Sequence, residues 1–476
     1  MNGRETAYVL ISVVIGILVS FMFLITPWIS VVLICAVISM IVLKKRPEIG
    51  LLAIIALVSS IVFEESLPPV SIGLGNLYVP DLILLLLLML SLLNFLKKDN
   101  NIKFNVVEIF LILFILSIVI SAVNAIKFNS VSINDGLGRF RILSYYLMYF
   151  TVIFLIRSNN QLKVFGRGIF ILGIIVSMAM VLQAILGDSV KIMPGRVEAA
   201  YSSAGFDDAT RILPPGQMLV HFLFVISGSV LAFSEELKNR KLFYLLLVVF
   251  GAGELLTYNR SFWVSAFVVF FGAFVLFRKS NKYGVILKVV VPILVAFLFF
   301  ISISYFSPSQ FLNGHLISIE KRFSSLFENN LFESDSLRYR TEENRAAIKV
   351  IKGNPVFGNG LGNKYRNVID PLFEDRETYI HNGYLWILLN AGLVGAIPLI
   401  FFFMTFIWKI KKVAMKSPDS FVRSVKVGVG LATITALLIN FVNPVTMMAK
   451  SIVVIAVAMG IVRVLDSTAF DPDAFQ

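Results

Sequence analysis

The chain has one cysteine, three histidines and little charge: 15% of its 476 residues are Asp, Glu, Lys or Arg. Each scarcity excludes something. A single thiol, Cys35, cannot close an internal disulfide, so cysteine usage leaves the redox compartment open. His221, His315 and His381 stand far apart, and no CxxC or HExxH spacing occurs. No metal-ligand set is therefore expected, nor any other cofactor. Soluble domains carry roughly 25% charged residues, so this composition, with 58% hydrophobic residues, excludes a soluble globular protein. There is no internal repeat, no low-complexity tract and no separate soluble domain.

What the chain has instead is long apolar runs. Ala7–Thr26, Pro80–Leu96, Val106–Ala122 and Val285–Ile303 carry no charge, or one near an edge. Each approaches the ~20 residues that cross a bilayer as helix. Membrane β-strands would be shorter and alternate in polarity. The expected fold class is an all-α polytopic membrane protein of about 12–14 transmembrane helices. The spans fall near 7–26, 28–43, 49–63, 80–96, 106–123, 142–156, 168–186, 213–233, 242–257, 261–277, 284–305, 381–408, 424–440 and 448–464. The run after Arg4 lacks a convincing small-residue cleavage site and reads as an uncleaved first helix. Three regions follow: an N-terminal membrane region, 1–305; one large external loop, 306–380; and C-terminal membrane helices with a short tail, 381–476.

The net charge of +13 comes from short basic loops, which points to membrane topology rather than nucleic acid. With both termini cytoplasmic, the loops on that side hold roughly three times the Lys and Arg of the opposite short loops. The 306–380 loop has equal acidic and basic content, and its length exempts it from the charge rule. Within it, 336–353 reads as an amphipathic helix ended by Gly353-Asn354-Pro355, followed by the turn-rich FGNGLG.

Polar groups near membrane depth are informative because burying charge there is costly. Arg260 stands in TYNRSFW, residues 257–263, between two apolar runs with almost no loop. It is either an arginine snorkelling from a helix end or an anion ligand whose planar fork matches phosphate. Arg139, Arg141, Arg196, Arg211, Arg338, Arg340 and Arg345 fall in segments on the same expected face. Singly they read as surface charge; together they suggest a site for a polyanion such as a diphosphate. Gly358 and Gly360 mark a tight turn, or a backbone that approaches a substrate closely; no Gly-Lys-Ser/Thr follows, so this is not a P-loop. His381 opens a long apolar stretch, as an interfacial residue or as a group that moves a proton. His221 and His315 read as structural.

These stretches resemble a known family, the O-antigen ligase and Wzy-type O-antigen polymerase superfamily of bacterial envelope glycan assembly. The resemblance rests on TYNRSFWVSAFVVF, on SLRYRTEENRAAIKVIKGNPVFGNGLGNKY, on HNGYLWILLNAGLVGAIPLI, and on YVPDLILLLLL at 78–88. It covers about 250–400 well and the rest by topology. An acidic residue usually stands two before the Gly-x-x-Gly of the histidine helix; here that position is Asn390.

The resemblance implies a GT-C-like helical fold in the bacterial cytoplasmic (inner) membrane. It also implies transfer of a glycan from undecaprenyl diphosphate to an acceptor hydroxyl on the external face, in O-antigen or other surface polysaccharide synthesis. By the same resemblance, His381 would orient or deprotonate the acceptor, and Arg260 and Arg340 would bind the diphosphate. Arg338 is the competing register for Arg340. Arg345, Arg211, Arg196, Gly358, Gly360 and Asn382 would line the substrate site. The implied partners are the lipid-linked glycan donor, a glycan or lipid-linked acceptor, membrane lipid, and a chain-length regulator or flippase. A second reading is a transporter, for instance a lipid-linked oligosaccharide flippase. Such proteins place polar residues at the bilayer midplane and commonly show repeated halves.

Overall fold

A computed structural model describes residues 39–61, 68–71, 76–96, 104–129, 131–186, 192, 196–199, 210–235, 237–276, 335–366, 377–414 and 419–467. The expected span 7–26, most of 28–43, the span 284–305, Cys35 and His315 lie outside these residues.

The chain forms an all-α polytopic membrane protein. Its described helices are α1 Pro47–Val58, α2 Val79–Phe95, α3 Val106–Phe128, α4 Ile133–Ser144, α5 Met148–Leu155, α6 Asn159–Leu186, α7 Gln217–Phe233, α8 Arg240–Leu256, α9 Arg260–Leu276, α10 Asp335–Ile351, α11 Gly383–Ala414, α12 Ser420–Ile439 and α13 Ala449–Ser467. Two short antiparallel hairpins accompany them, β1 Val70–Ser71 with β2 Asn76–Leu77 and β3 Arg196–Ala199 with β4 Thr210–Leu213. Among the described residues, α3, α6, α11 and α12 are long and apolar enough to cross a bilayer unaided, and α1, α2, α7 and α9 are shorter apolar helices. Leu85, Leu116, Ile171, Phe267 and Met404 lie exposed on the bundle surface. Such a surface suits hydrocarbon and would be a liability in water.

Local signals start the helices. Asp81 Oδ2 accepts from the Tyr78 backbone N–H (2.8 Å) with Pro80 in the first turn of α2. Asn105 and Glu108 form a reciprocal capping box on α3, at 2.8 and 2.7 Å. Asp419 caps α12. The expected span 142–156 is corrected: it is the second half of a bent helical run that begins at Ile133, with Ser132 as its cap. The run extends through Arg139 and Arg141 because both find partners. Arg139 Nη2 donates to Thr378 Oγ1 (2.9 Å), and Arg141 pairs with Asp81 (3.3 Å) over the Tyr78 ring.

The core is built from α3 against α11, α7 against α12 and α8, and α13 against α5. Phe114, Tyr146 and Phe402 meet edge to face within it. At one end of the bundle, buried charges are paired. Glu108 accepts from Tyr149 Oη and Arg463 Nε, each at 2.9 Å, and Lys426 meets Asp466 at 2.8 Å. Pairing is what makes buried ions tolerable.

The opposite end carries an interrupted helix. Within α11, Gly392 sits at φ 60°, ψ −160°, a conformation open essentially to glycine alone. The break frees backbone groups, and the FGNGLG segment satisfies them. Asn359 N donates to Leu389 O (2.7 Å) and Gly360 N to Asn390 O (2.9 Å). In return, Leu393 N donates to Pro355 O (2.9 Å) and Val394 N to Val356 O (3.1 Å). Non-helical backbone at membrane depth survives only with such internal partners. Gly358 and Gly360 have φ of +70° and +87°. A Cβ on Gly358 would lie 2.6 Å from Gly392 N, and one on Gly360 would lie 2.6 Å from Ala125 Cα. Gly392→Ala would drive a methyl into the Val356 carbonyl oxygen. It is expected to destabilise the protein by about 3 kcal/mol or more, read as a lowered thermal unfolding midpoint of the purified protein.

Candidate functional site

One pocket among the described residues is lined by apolar side chains, among them Phe170, Phe222, Phe243 and Val454. It offers nothing to an anion or a sugar. The polar constellation lies elsewhere, where α10 rests on the start of α11.

Helix phase sorts α10. Glu343 and Ala347, one turn apart, are fully buried, with Tyr339 and Arg340 on the turn before them half-buried. Arg338 and Arg345 are exposed, and Arg338 spends its charge on Glu342 at 3.5 Å, one turn along. The structure therefore turns Arg340, rather than Arg338, toward the His381 end of α11.

His381 Nδ1 lies 2.7 Å from Glu343 Oε2, and the His381 backbone N–H donates to the same oxygen at 3.3 Å. Arg366 Nη2 donates to Glu343 Oε1 (2.8 Å) and to Tyr339 Oη (2.7 Å). A carboxylate that accepts on both oxygens orients the imidazole: Nδ1 is the donor to Glu343, which leaves Nε2 as the accepting nitrogen. The His381 side chain is about a third exposed while Glu343 is sealed. The ring stands edge-on to Tyr379 (4.9 Å between centroids) and Tyr339 (6.4 Å). Tyr365 Oη donates to the Tyr379 carbonyl at 3.0 Å, and burial pushes the Tyr365 phenol up, away from ionisation.

Arg340 joins this group. Burial lowers its guanidinium from the usual range; the neighbouring Tyr379 and Glu343 oppose that shift, and the charge of Arg260 adds to it. Arg260, at the start of α9, thus acts electrostatically on Arg340 across the gap between a membrane helix and the loop helix. Arginine stays protonated in proteins, so Arg340 keeps its charge half-buried beside Glu343, with Arg260 near enough for its charge to be felt.

The other expected residues are placed differently. Asn382 Oδ1 accepts from the backbone N–H of Tyr384 (3.0 Å) and Leu385 (3.2 Å), capping α11. Gly358 and Gly360 make their close approach to the protein's own α3 and α11, as described above. Arg196 and Arg211 lie on the β3–β4 hairpin, where Arg211 is opposite Glu198 in register. Asn390 donates through Nδ2 to Trp386 O (2.8 Å) and accepts through Oδ1 from Gly362 N (3.3 Å). A carboxylate there could accept but not donate, so the amide suits the broken helix.

Sequence reading missed Glu343 and Arg366. Spacing could have found the first: Glu343 is one turn from the apolar Ala347, on the inward face of α10. Glu343→Gln keeps the shape but weakens the orienting acceptor. It is expected to lower turnover by about tenfold to a hundredfold with little change in donor affinity, measured as separate kcat and KM in a transfer assay.

No curated protein gives a significant match to the chain. Residues 245–400 match the family model described as Wzy_C, O-antigen ligase. That segment runs from within α8 into α11 and contains Arg260, Arg340, Glu343, Arg366 and His381. The match covers less than half of the chain, and it makes this site-bearing segment similar to the O-antigen ligase model.

Proposed function

We propose that the protein transfers an oligosaccharide from an undecaprenyl-diphosphate donor to a sugar hydroxyl, on the external face of the bacterial cytoplasmic membrane, with both termini cytoplasmic. The observation that carries this reading is the half-buried Arg340, which neighbours Glu343 of the Glu343–His381 pair and feels the charge of Arg260. Burial makes the Arg340 charge costly, and a bound diphosphate would supply it with anionic oxygens. Guanidinium forks match phosphate oxygens bidentately.

In this reading the acceptor oxygen attacks the anomeric carbon of the donor sugar. The bond from that carbon to the diphosphate oxygen breaks, and the electron pair leaves with undecaprenyl diphosphate, where Arg260 and Arg340 meet the growing charge. The acceptor proton passes to His381 Nε2, while Nδ1–H stays on Glu343. The lipid-linked donor accounts for the membrane fold, and the anionic leaving group accounts for the arginines. The transporter reading is weaker because these polar residues gather at one end of the bundle, not midway along it.

Ligase and polymerase share this chemistry and differ in acceptor. We take polymerase, in the broad sense, as the better reading, because no stretch of the sequence marks a site for a lipid A-core acceptor. A deletion strain distinguishes them. Loss of glycan chain length supports polymerase; full-length polymer retained on undecaprenyl diphosphate identifies a ligase.

A further inference from the structure

Beneath the turn that carries Arg260 lies a second histidine, which the proposed chemistry does not use. His221 on α7, Glu254 on α8 and Thr435 on α12 are all buried. His221 Nε2 is 2.8 Å from Thr435 Oγ1, and His221 Nδ1 is 3.0 Å from Glu254 Oε1. Thr435 Oγ1 gives its hydrogen to the Ala432 carbonyl at 2.7 Å, so toward His221 it accepts, and Nε2 carries a proton. Nδ1 and Oε1 then share one proton between them. Whichever atom holds it, the pair has no net charge, which suits membrane depth.

Two of these residues, Glu254 through its backbone carbonyl and His221 through its ring, hold the α8–α9 turn on both sides of Arg260. Before it, the Glu254 carbonyl accepts from Thr257 Oγ1 (2.8 Å), and Thr257 Oγ1 accepts from Asn259 N (3.2 Å). After it, Trp263 Nε1 donates to the same Glu254 carbonyl (3.1 Å), and the Phe262 ring stands edge-on to His221 at 4.9 Å. Between these anchors Tyr258 is held at φ +50°, the one non-glycine residue of positive φ among those described. Such a conformation persists only where its surroundings over-determine it.

We infer that the His221–Glu254–Thr435 chain positions Arg260 for diphosphate binding by fixing the α8–α9 turn to α7 and α12. The inference rests on the proposed diphosphate role of Arg260. It assigns a task to His221 and Thr435, both outside the segment that matches the family. These are positioning residues, acting through Arg260 and not on the substrate.

The test is a double-mutant cycle read by calorimetric titration of undecaprenyl diphosphate onto the purified full-length protein in detergent. Glu254→Ala is expected to weaken binding about fivefold when Arg260 is present and to have almost no further effect in Arg260→Ala, because contacting or serially linked residues are not additive. Glu254→Gln, whose amide N–H donates to Nδ1, is expected to bind within about twofold of the parent. If Glu254→Ala is not recovered folded, Thr435→Val, which keeps the side-chain shape while removing the Nε2 acceptor and the hydroxyl's bond to Ala432, takes its place in the cycle. Equal losses in both Arg260 backgrounds overturn the inference, as does a Gln variant as weak as Ala. Unchanged binding by Arg260→Ala alone instead refutes the diphosphate reading itself, and the positioning role falls with it.

Discussion

His381→Ala is expected to cut glycan transfer by about 10²-fold or more, the range of a positioned acid–base group, while the protein still inserts and donor affinity changes little. The reason is geometric. The imidazole is held by Glu343 at 2.7 Å, and Glu343 is itself clamped by Arg366 at 2.8 Å. Three linked residues on two segments fix which imidazole nitrogen is held by Glu343. In the proposed reaction alanine removes the group that takes the acceptor proton, so the loss falls on turnover. The check is initial-rate kinetics with a lipid-linked donor in membranes carrying matched amounts of each variant. A loss confined to KM would assign His381 to binding instead.

Arg260→Ala and Arg340→Ala are each expected to lower transfer by about 10²–10³-fold, the effect of deleting one preorganised donor to a developing anion. Arg260→Lys should also be damaging, because an ammonium cannot reproduce the bidentate fork. Arg338→Ala is the internal control. Arg338 is largely exposed and meets Glu342 at 3.5 Å, an interaction of little energetic consequence at a surface. Its loss should leave transfer within about twofold of the parent. Equal effects of Arg338→Ala and Arg340→Ala would show that general surface charge, and not a shaped anion site, attracts the donor.

Much of this is legible in the sequence for physical reasons. Uncharged runs near bilayer length declare a membrane fold because few other environments accept them. Arg260 and His381 stand out because each is a polar group at the edge of such a run. Glu343 is harder to see, since it sits in RYRTEENR beside Glu342, and mixed charge hides which carboxylate turns inward. Only helix phase separates them. The role of FGNGLG is hidden for another reason. Glycine spacing announces a tight backbone, but its partner is the break at Gly392, which composition reads as continuous helix. Asn390 looks like a departure from the family pattern until that break is known, and then its amide has two partners waiting. The α4 run fails in the opposite sense: Arg139 and Arg141 suggest a loop, yet Thr378 and Asp81 let the helix continue through them.

The proposed function is bond-forming transfer at a site containing Arg260, Arg340 and His381. It is tested most directly by reconstituting the purified protein in liposomes with an undecaprenyl-diphosphate-linked oligosaccharide labelled in the sugar. Label is expected in a longer or acceptor-linked glycan together with free undecaprenyl diphosphate, and neither product is expected from Arg260→Ala or His381→Ala. Movement of the intact donor between leaflets, with no new glycosidic bond and no diphosphate released, would contradict it.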